Sequence, residues 1–210
     1  MPLRNRVTPL GELVADPARG LVYGNRGCLH DAEGRISRSY RGTRWIACRL
    51  RFRGWHRDPL MQPGRFTELF FLDEATAFAA GHRPCALCRR EDYVRFRAIA
   101  GIAGDVDALD ARLHAQRLVR GTGERRLHPV PFTSLPDGAF VVRDGAPWLV
   151  RVARLLRWSP AGYRQAIRRP RLGEALVVTP PMLLNALRVG WDGAVPLFHP
   201  SAVSATSARG

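Results

Sequence analysis

Cys85 and Cys88, in Arg83-Pro84-Cys85-Ala86-Leu87-Cys88, stand at the spacing with which one turn of backbone presents two thiolates to a single tetrahedral ion. Zinc–sulfur bonds of about 2.3 Å require that closeness. A pair is half of a closed site. Two further cysteines, Cys28 and Cys48, precede it, and using all four gives an all-cysteine zinc site with no thiol left over. Cys28 is the first choice for the fourth position. His30, His56 and His82 stand in reserve, because a neutral imidazole also binds zinc. Arg83, Arg89 and Arg90, with the amino terminus of a helix expected after Cys88, favour the thiolate form that metals need. Each cysteine also has a plainer reading as a small buried apolar residue. A redox dithiol fits poorly: that chemistry sits at a strand-to-helix junction, whereas this pair follows a helix, Gly81 and Pro84.

The elements that must position these residues are legible from pattern. Leu21-Val22-Tyr23 reads as a short strand, and Asp31-Ala32-Glu33-Gly34 as a turn closing a hairpin. The segment Arg44 to Arg53 reads as a strand whose second half alternates, with Cys48, Leu50 and Phe52 on one side and Arg49, Arg51 and Arg53 on the other. Phe66 to Leu72 reads as a buried strand. Asp73 then caps an Ala-rich helix that Gly81 stops. A helix from near Cys88 carries Tyr93, Phe96 and Ile99 on one face, and another runs from Val106 to about Arg120 with Leu109, Leu113 and Leu118 inward. Gly121 to Pro131 lacks periodicity and reads as a connection. Beyond it come a hairpin around Arg143-Asp144-Gly145, strands at Leu155–Trp158 and Ala175–Val178, and a helix opened by Pro180-Pro181. Residues 201–210 are small and polar and are expected to be disordered.

Composition narrows the class. A 210-residue chain that is 46% hydrophobic can build a sizeable core, and no run approaches the ~18 apolar residues of a membrane span, so a soluble, cytoplasmic protein is expected. In a reducing compartment four cysteines point to metal rather than disulfides. The net charge of +15 invites a nucleic-acid partner through counterion release, although every basic residue is Arg and part of this bias can be compositional. Arg49, Arg51 and Arg53, followed by Trp55, His56 and Arg57, can track a phosphate backbone, or form an ordinary solvated strand face. Trp148, Trp158, Tyr163, Trp191 and Phe198 read as a small core more readily than as a pocket.

The segment from Phe70-Phe71 through Ala75-Thr76-Ala77-Phe78-Ala79-Ala80-Gly81-His82-Arg83-Pro84-Cys85-Ala86-Leu87-Cys88 resembles the end of the amino-terminal zinc domain of Ada-type DNA methyl-phosphotriester repair proteins. That family has a pair of aromatics, a short Ala-rich helix and then Gly-Phe-Arg-Pro-Cys-x-x-Cys. The likeness covers about 20 residues in full and about 45 loosely. It implies a four-cysteine zinc site in which Cys48 is placed like the cysteine that accepts a methyl group from DNA. The family's neighbouring cysteine falls at Phe52, which cannot ligate, so the reaction does not follow from the likeness.

Together these readings predict an α+β chain: an Ada-like zinc module over about 18–100, a helical extension and linker over 101–131, and a small β-rich domain over 132–200. The expected function is a zinc protein associated with DNA or RNA, with Arg49, Arg51, Arg53, Arg83 and Arg89 facing the nucleic acid. Two alternatives stand beside it: an enzyme with a structural zinc and a pocket in the second domain, and a cysteine methyl acceptor.

Overall fold

The computed structural model describes residues 1–55, 58–102 and 104–207. Among them six short strands precede residue 85: β1 (Arg4–Val7), β2 (Leu13–Ala15), β3 (Val22–Asn25), β4 (Ile46–Cys48), β5 (Leu69–Phe71) and β6 (Arg83–Pro84). They form one sheet in the order β2-β1-β5-β3-β4-β6, with β1/β5 and β4/β6 parallel and the other pairs antiparallel. Three helices follow the pattern expected of them: α1 (Glu74–Ala79), α2 (Arg90–Ala100) and α3 (Val106–Arg117). The second sheet contains β7 (His128–Pro131), β8 (Phe140–Arg143), β9 (Ala146–Arg151), β10 (Arg154–Ser159), β11 (Gly162–Arg168) and β12 (Glu174–Val177). It is antiparallel in the order β11-β10-β9-β8-β12-β7. Helices α4 (Pro181–Arg188) and α5 (Pro200–Ser207) complete this α+β architecture. No helix among the described residues is long and apolar enough to cross a membrane.

Every residue of α1 is buried, because this helix is shared by three cores. Ala77 and Ala80 pack with Val22, Leu69 and Phe71 of the first sheet. Phe78 packs with Phe96, Leu109 and Leu113 of α2 and α3. Ala75 and Ala79 meet Phe140, Leu149 and Leu156 of the second sheet. Alanines at these positions let both sheets come close to one short helix. Its amino terminus is fixed by Asp73, whose Oδ1 accepts the backbone N–H of Thr76 at 2.9 Å and its hydroxyl at 2.7 Å. Oδ2 accepts the Tyr163 hydroxyl at 2.8 Å and the His199 N–H at 2.9 Å, so one carboxylate ties α1 to β11 and to the start of α5. Gly81, at φ 87°, ends the helix in the left-handed region.

Several boundaries differ from the sequence reading. β1 and β2 lie before residue 18 and belong to the first sheet. The strand expected to continue to Arg53 stops at Cys48, where the pairing with Tyr23 of β3 ends. The chain then turns through Arg53 and Gly54, both at positive φ, and Trp55 N–H closes the turn on the Phe52 carbonyl at 2.9 Å. β7 occupies the aperiodic stretch read as a connection, where two prolines interrupt the apolar pattern, and it is held at the sheet edge by β12 alone. Of residues 201–210, expected to lack order, 201–207 are helical and 208–210 lie outside the described residues: Ala202 is fully buried and Ser201 Oγ accepts the Tyr163 N–H at 2.9 Å. Trp148, Tyr163 and Trp191 are buried in the cores, with Trp158 and Phe198 packed at their margin.

Candidate metal centre

The geometry of the centre begins with β4 and β6. Arg83 N–H donates to the Trp45 carbonyl at 3.1 Å and Cys85 N–H to the Ala47 carbonyl at 3.0 Å, which sets Cys85 beside Cys48 at the end of the parallel pair. The chain folds over at once: Arg89 N–H reaches back to the Cys85 carbonyl at 3.1 Å, and Leu87 N–H donates to Cys85 Sγ at 3.4 Å. Amide donors aimed at a sulfur stabilise its thiolate. Pro84 supports this turn, having no N–H to satisfy and a fixed φ.

The sulfurs of Cys48, Cys85 and Cys88 lie within 4.8 Å of one another, a group that can hold a metal ion. Tetrahedral coordination at about 2.3 Å would space the sulfurs about 3.8 Å apart, within the 4.8 Å that bounds them here. The three thiols share their protons unequally. Hydrogen bonds from Cys48 and Cys88 hold Cys85 far below the usual thiol range, while donation to Cys85 and Cys88 pushes Cys48 far above it. An ion bound in their midst would displace those protons.

Two buried arginines, in three ion pairs, hold the turn from either side. Arg83, before it, makes a forked pair with Asp110 of α3, at 2.9 Å from Nε and 2.7 Å from Nη2. Arg89, after it, pairs with Asp92 at 2.7 Å and with Glu74 of α1. Glu74 also accepts the Trp191 indole N–H at 3.0 Å. Burial pushes the Glu74 carboxyl up to about 7, offset in part by the Arg89 charge. One guanidinium facing two carboxylates in a dry interior favours keeping a proton on one of them.

The other residues singled out by sequence fall in different places. Cys28 stands outside the group of three, its thiol directed at the His30 carbonyl at 3.5 Å. His30 is buried with Nδ1 at 2.6 Å from Thr67 Oγ1 and Nε2 at 3.1 Å from the Gln62 carbonyl. His82 is fully buried between Phe71 and Trp45, at 4.6 and 5.1 Å between ring centroids, away from the sulfurs. His56 and Arg57 lie outside the described residues. Arg49, Arg51 and Arg53 are exposed, whereas Arg83 and Arg89 are 1% exposed and held in their ion pairs. Both guanidiniums are therefore engaged with carboxylates inside the protein. Sequence alone could not distinguish them, because their acid partners come from α1, α2 and α3.

All three cysteines line a cavity of about 320 Å³. Its walls include Tyr23, Phe52, Trp55, Phe66 and Phe70, with Glu68 among the polar groups. Glu68 accepts the Met61 N–H at 2.8 Å and is not part of the sulfur group. A three-sulfur site leaves a tetrahedral ion one position, and here a ligand would enter it from the cavity. Sequence reading missed Tyr23, Phe66 and Phe70 as site residues, yet a signal existed for two of them. Alternation in β3 and β5 sends Val22 and Phe71 into the core and turns Tyr23 and Phe70 to the opposite face. Phe52 packs against the cluster formed by the three cysteines.

Comparison with protein-family models, with curated proteins and with solved structures found no match, so the resemblance to the Ada-type zinc domain rests on the residues themselves.

Proposed function

We propose that this chain is a zinc protein that works in contact with nucleic acid, with zinc held by Cys48, Cys85 and Cys88. The observation that carries this reading is the meeting of three features: a three-thiol group, a cavity opening onto it, and exposed arginines at that opening. Thiolate donors select zinc among the abundant divalent ions. Structural zinc sites close with four protein ligands, and a three-ligand site keeps a position for an exchangeable one. Arg49 lines the cavity itself, and Arg53 stands with Arg49 and Arg90 along the adjoining groove. This cationic border, on a chain of net charge +15, is complementary to a polyanion.

Metal analysis of the purified chain tests the first half. One zinc per chain is expected in the wild type and in Cys28→Ser, and a substoichiometric content in Cys48→Ser, Cys85→Ser and Cys88→Ser. Retention of full zinc by all three of these variants would sink the assignment. Oligonucleotide binding at several salt concentrations tests the second half. Affinity should fall as salt rises, and replacing Arg49, Arg51 and Arg53 by Ala should flatten the log–log slope by about 2, at ~0.7 per single-strand phosphate contact. Affinity that does not change with salt refutes nucleic acid as partner.

A second reading is favoured by the accessibility of Cys48 to the same cavity. Like the acceptor cysteine of the family it resembles, Cys48 would take a methyl group from an alkylated phosphate, a C–S bond replacing the C–O bond and a phosphodiester leaving. Its signature is a mass gain of one methyl on the Cys48 peptide after exposure to methylated DNA. Absence of that peptide at full zinc occupancy rejects it.

A further inference from the structure

The cavity has a character that zinc binding alone does not explain. Two edge-to-face aromatic pairs line it: Tyr23 with Phe70, at 5.8 Å between ring centroids, and Phe52 with Trp55, at 5.6 Å. Each pair carries a guanidinium, Arg6 lying 4.9 Å from the Phe70 centroid and Arg53 5.0 Å from that of Phe52. At the mouth three large apolar side chains face solvent: Trp55 is 58% exposed, Leu87 55% and Leu50 49%. Arg49, Arg51 and Arg53 alternate with Leu50 and Phe52 along that same stretch. A structural zinc knuckle needs none of this, and open apolar rims cost solubility unless they meet a ligand.

From this arrangement we propose that the cavity receives one unpaired base of a single-stranded nucleic acid, its flanking phosphates lying on the arginines of the 49–53 segment. The proposal deepens the reading of a nucleic-acid partner and rests on it. Three features of the site select this ligand. Aromatic faces interleaved with guanidiniums are how proteins hold successive nucleotides, the rings taking bases and the cations taking phosphates. A volume of about 320 Å³ admits a single ring system and excludes a duplex. A paired base would have to leave its stack to enter, at a cost of a few kcal/mol, so strand pairing should oppose binding. A purely apolar small molecule would leave the cationic border without a counterpart, and a duplex held by its phosphates would leave the aromatic walls unused.

The experiment uses the zinc-loaded full chain and four fluorescently labelled probes of equal length at one fixed salt: a single-stranded DNA, the corresponding RNA, their duplex counterpart, and a sugar–phosphate strand lacking bases. Tighter binding of the single strands than of the duplex and the baseless strand, by about ten-fold, is the expected result. Trp55→Ala should weaken single-strand binding about 5- to 150-fold, the range for one stacked base, without altering the salt slope. Trp55→Phe should recover most of the loss. Because Trp55 is more than half exposed, these variants leave the cores and sulfur site intact, and zinc content verifies this. Equal affinity for duplex, baseless and single strands, unchanged by Trp55→Ala, overturns the base-binding proposal and leaves the phosphate contact standing. No binding of any probe overturns both.

Discussion

Removing the carboxylate of Asp110 should destabilise the whole chain through a residue that touches no sulfur. Asp110 is fully buried on α3 and accepts both arms of the Arg83 fork, while Arg83 is 1% exposed on β6, two residues before Cys85. In Asp110→Ala the guanidinium keeps only the Pro84 carbonyl, at 3.0 Å, as a bonded acceptor. A buried charge stripped of its partner costs about 3–5 kcal/mol, because neither water nor another acid replaces the lost solvation. In a chain of 210 residues each kcal/mol moves Tm by about 2–4 °C, so a fall of about 6–20 °C is expected. Replacing both partners by apolar groups, as in Arg83→Met with Asp110→Leu, should recover most of the loss, since no charge is then left behind. Thermal unfolding of Arg83→Met, Asp110→Leu and the double variant forms the cycle, and competition of Asp110→Ala with a zinc chelator reports on the knuckle at the same time. A fall below about 2 °C in Asp110→Ala, with chelator resistance unchanged, would refute the claim that this pair secures the turn carrying Cys85.

Three further outcomes follow from groups around the centre. Glu74, pushed up to about 7 by burial, holds its proton more tightly in the folded chain than in the unfolded one, where the ordinary value is 4.5. Its contribution is therefore complete below pH 4.5 and is lost as pH rises through about 7; Glu74→Gln should flatten the stability profile across that window, and an unaltered profile rejects the shift. His82 behaves in the opposite sense: burial, then the nearby Arg26, Arg117 and Arg125 charges, hold its pKa well below 6.5, so its contribution is present above that pH and is lost on acidification. His82→Phe should lessen the difference in Tm between pH 8 and pH 5, and an equal or larger difference would count against it. Gly81→Ala forces a left-handed residue and sets a methyl 2.6 Å from Arg117 Cγ, so a loss of about 2–4 kcal/mol in denaturant unfolding is expected, and a loss under about 1 kcal/mol would mean the packing yields.

The ion pairs also explain why arginine is so prominent here without all of it serving a partner. Arg26, Arg117 and Arg125 donate to backbone carbonyls, Gly11 for the first, Gly81 and Thr43 for the second, Ala79, Ala80 and Val178 for the third. Three of those acceptors, Ala79, Ala80 and Gly81, lie at the carboxyl end of α1, where the helix dipole favours positive charge. The Trp45 ring receives Arg26 and Arg117, each with its guanidinium carbon 4.6 Å from the centroid. Part of the net charge is therefore structural.

Local spacing determined what lies close along the chain. The two-residue gap of Cys85 and Cys88, the Asp73 cap, the Gly81 stop, the apolar face of α2 at Tyr93 and Phe96, and the hairpin at Asp144-Gly145 are each decided by one to four residues, so they are legible without a fold. What needed the tertiary structure depends on register between distant segments. The parallel pairing of Ile46 with Arg83 brings Cys48 to the knuckle, and Cys28 ends elsewhere although its residue type is the same. Arg83 and Arg89 look like Arg49 in sequence, but acids on three different helices take them out of solvent. The strand expected through Arg53 ended at Cys48 because no neighbour continues the ladder, and its side chains became the border of a cavity. Spacing along a chain specifies which groups can act together; which of them share one small volume is decided by strand register and by where buried charges find partners.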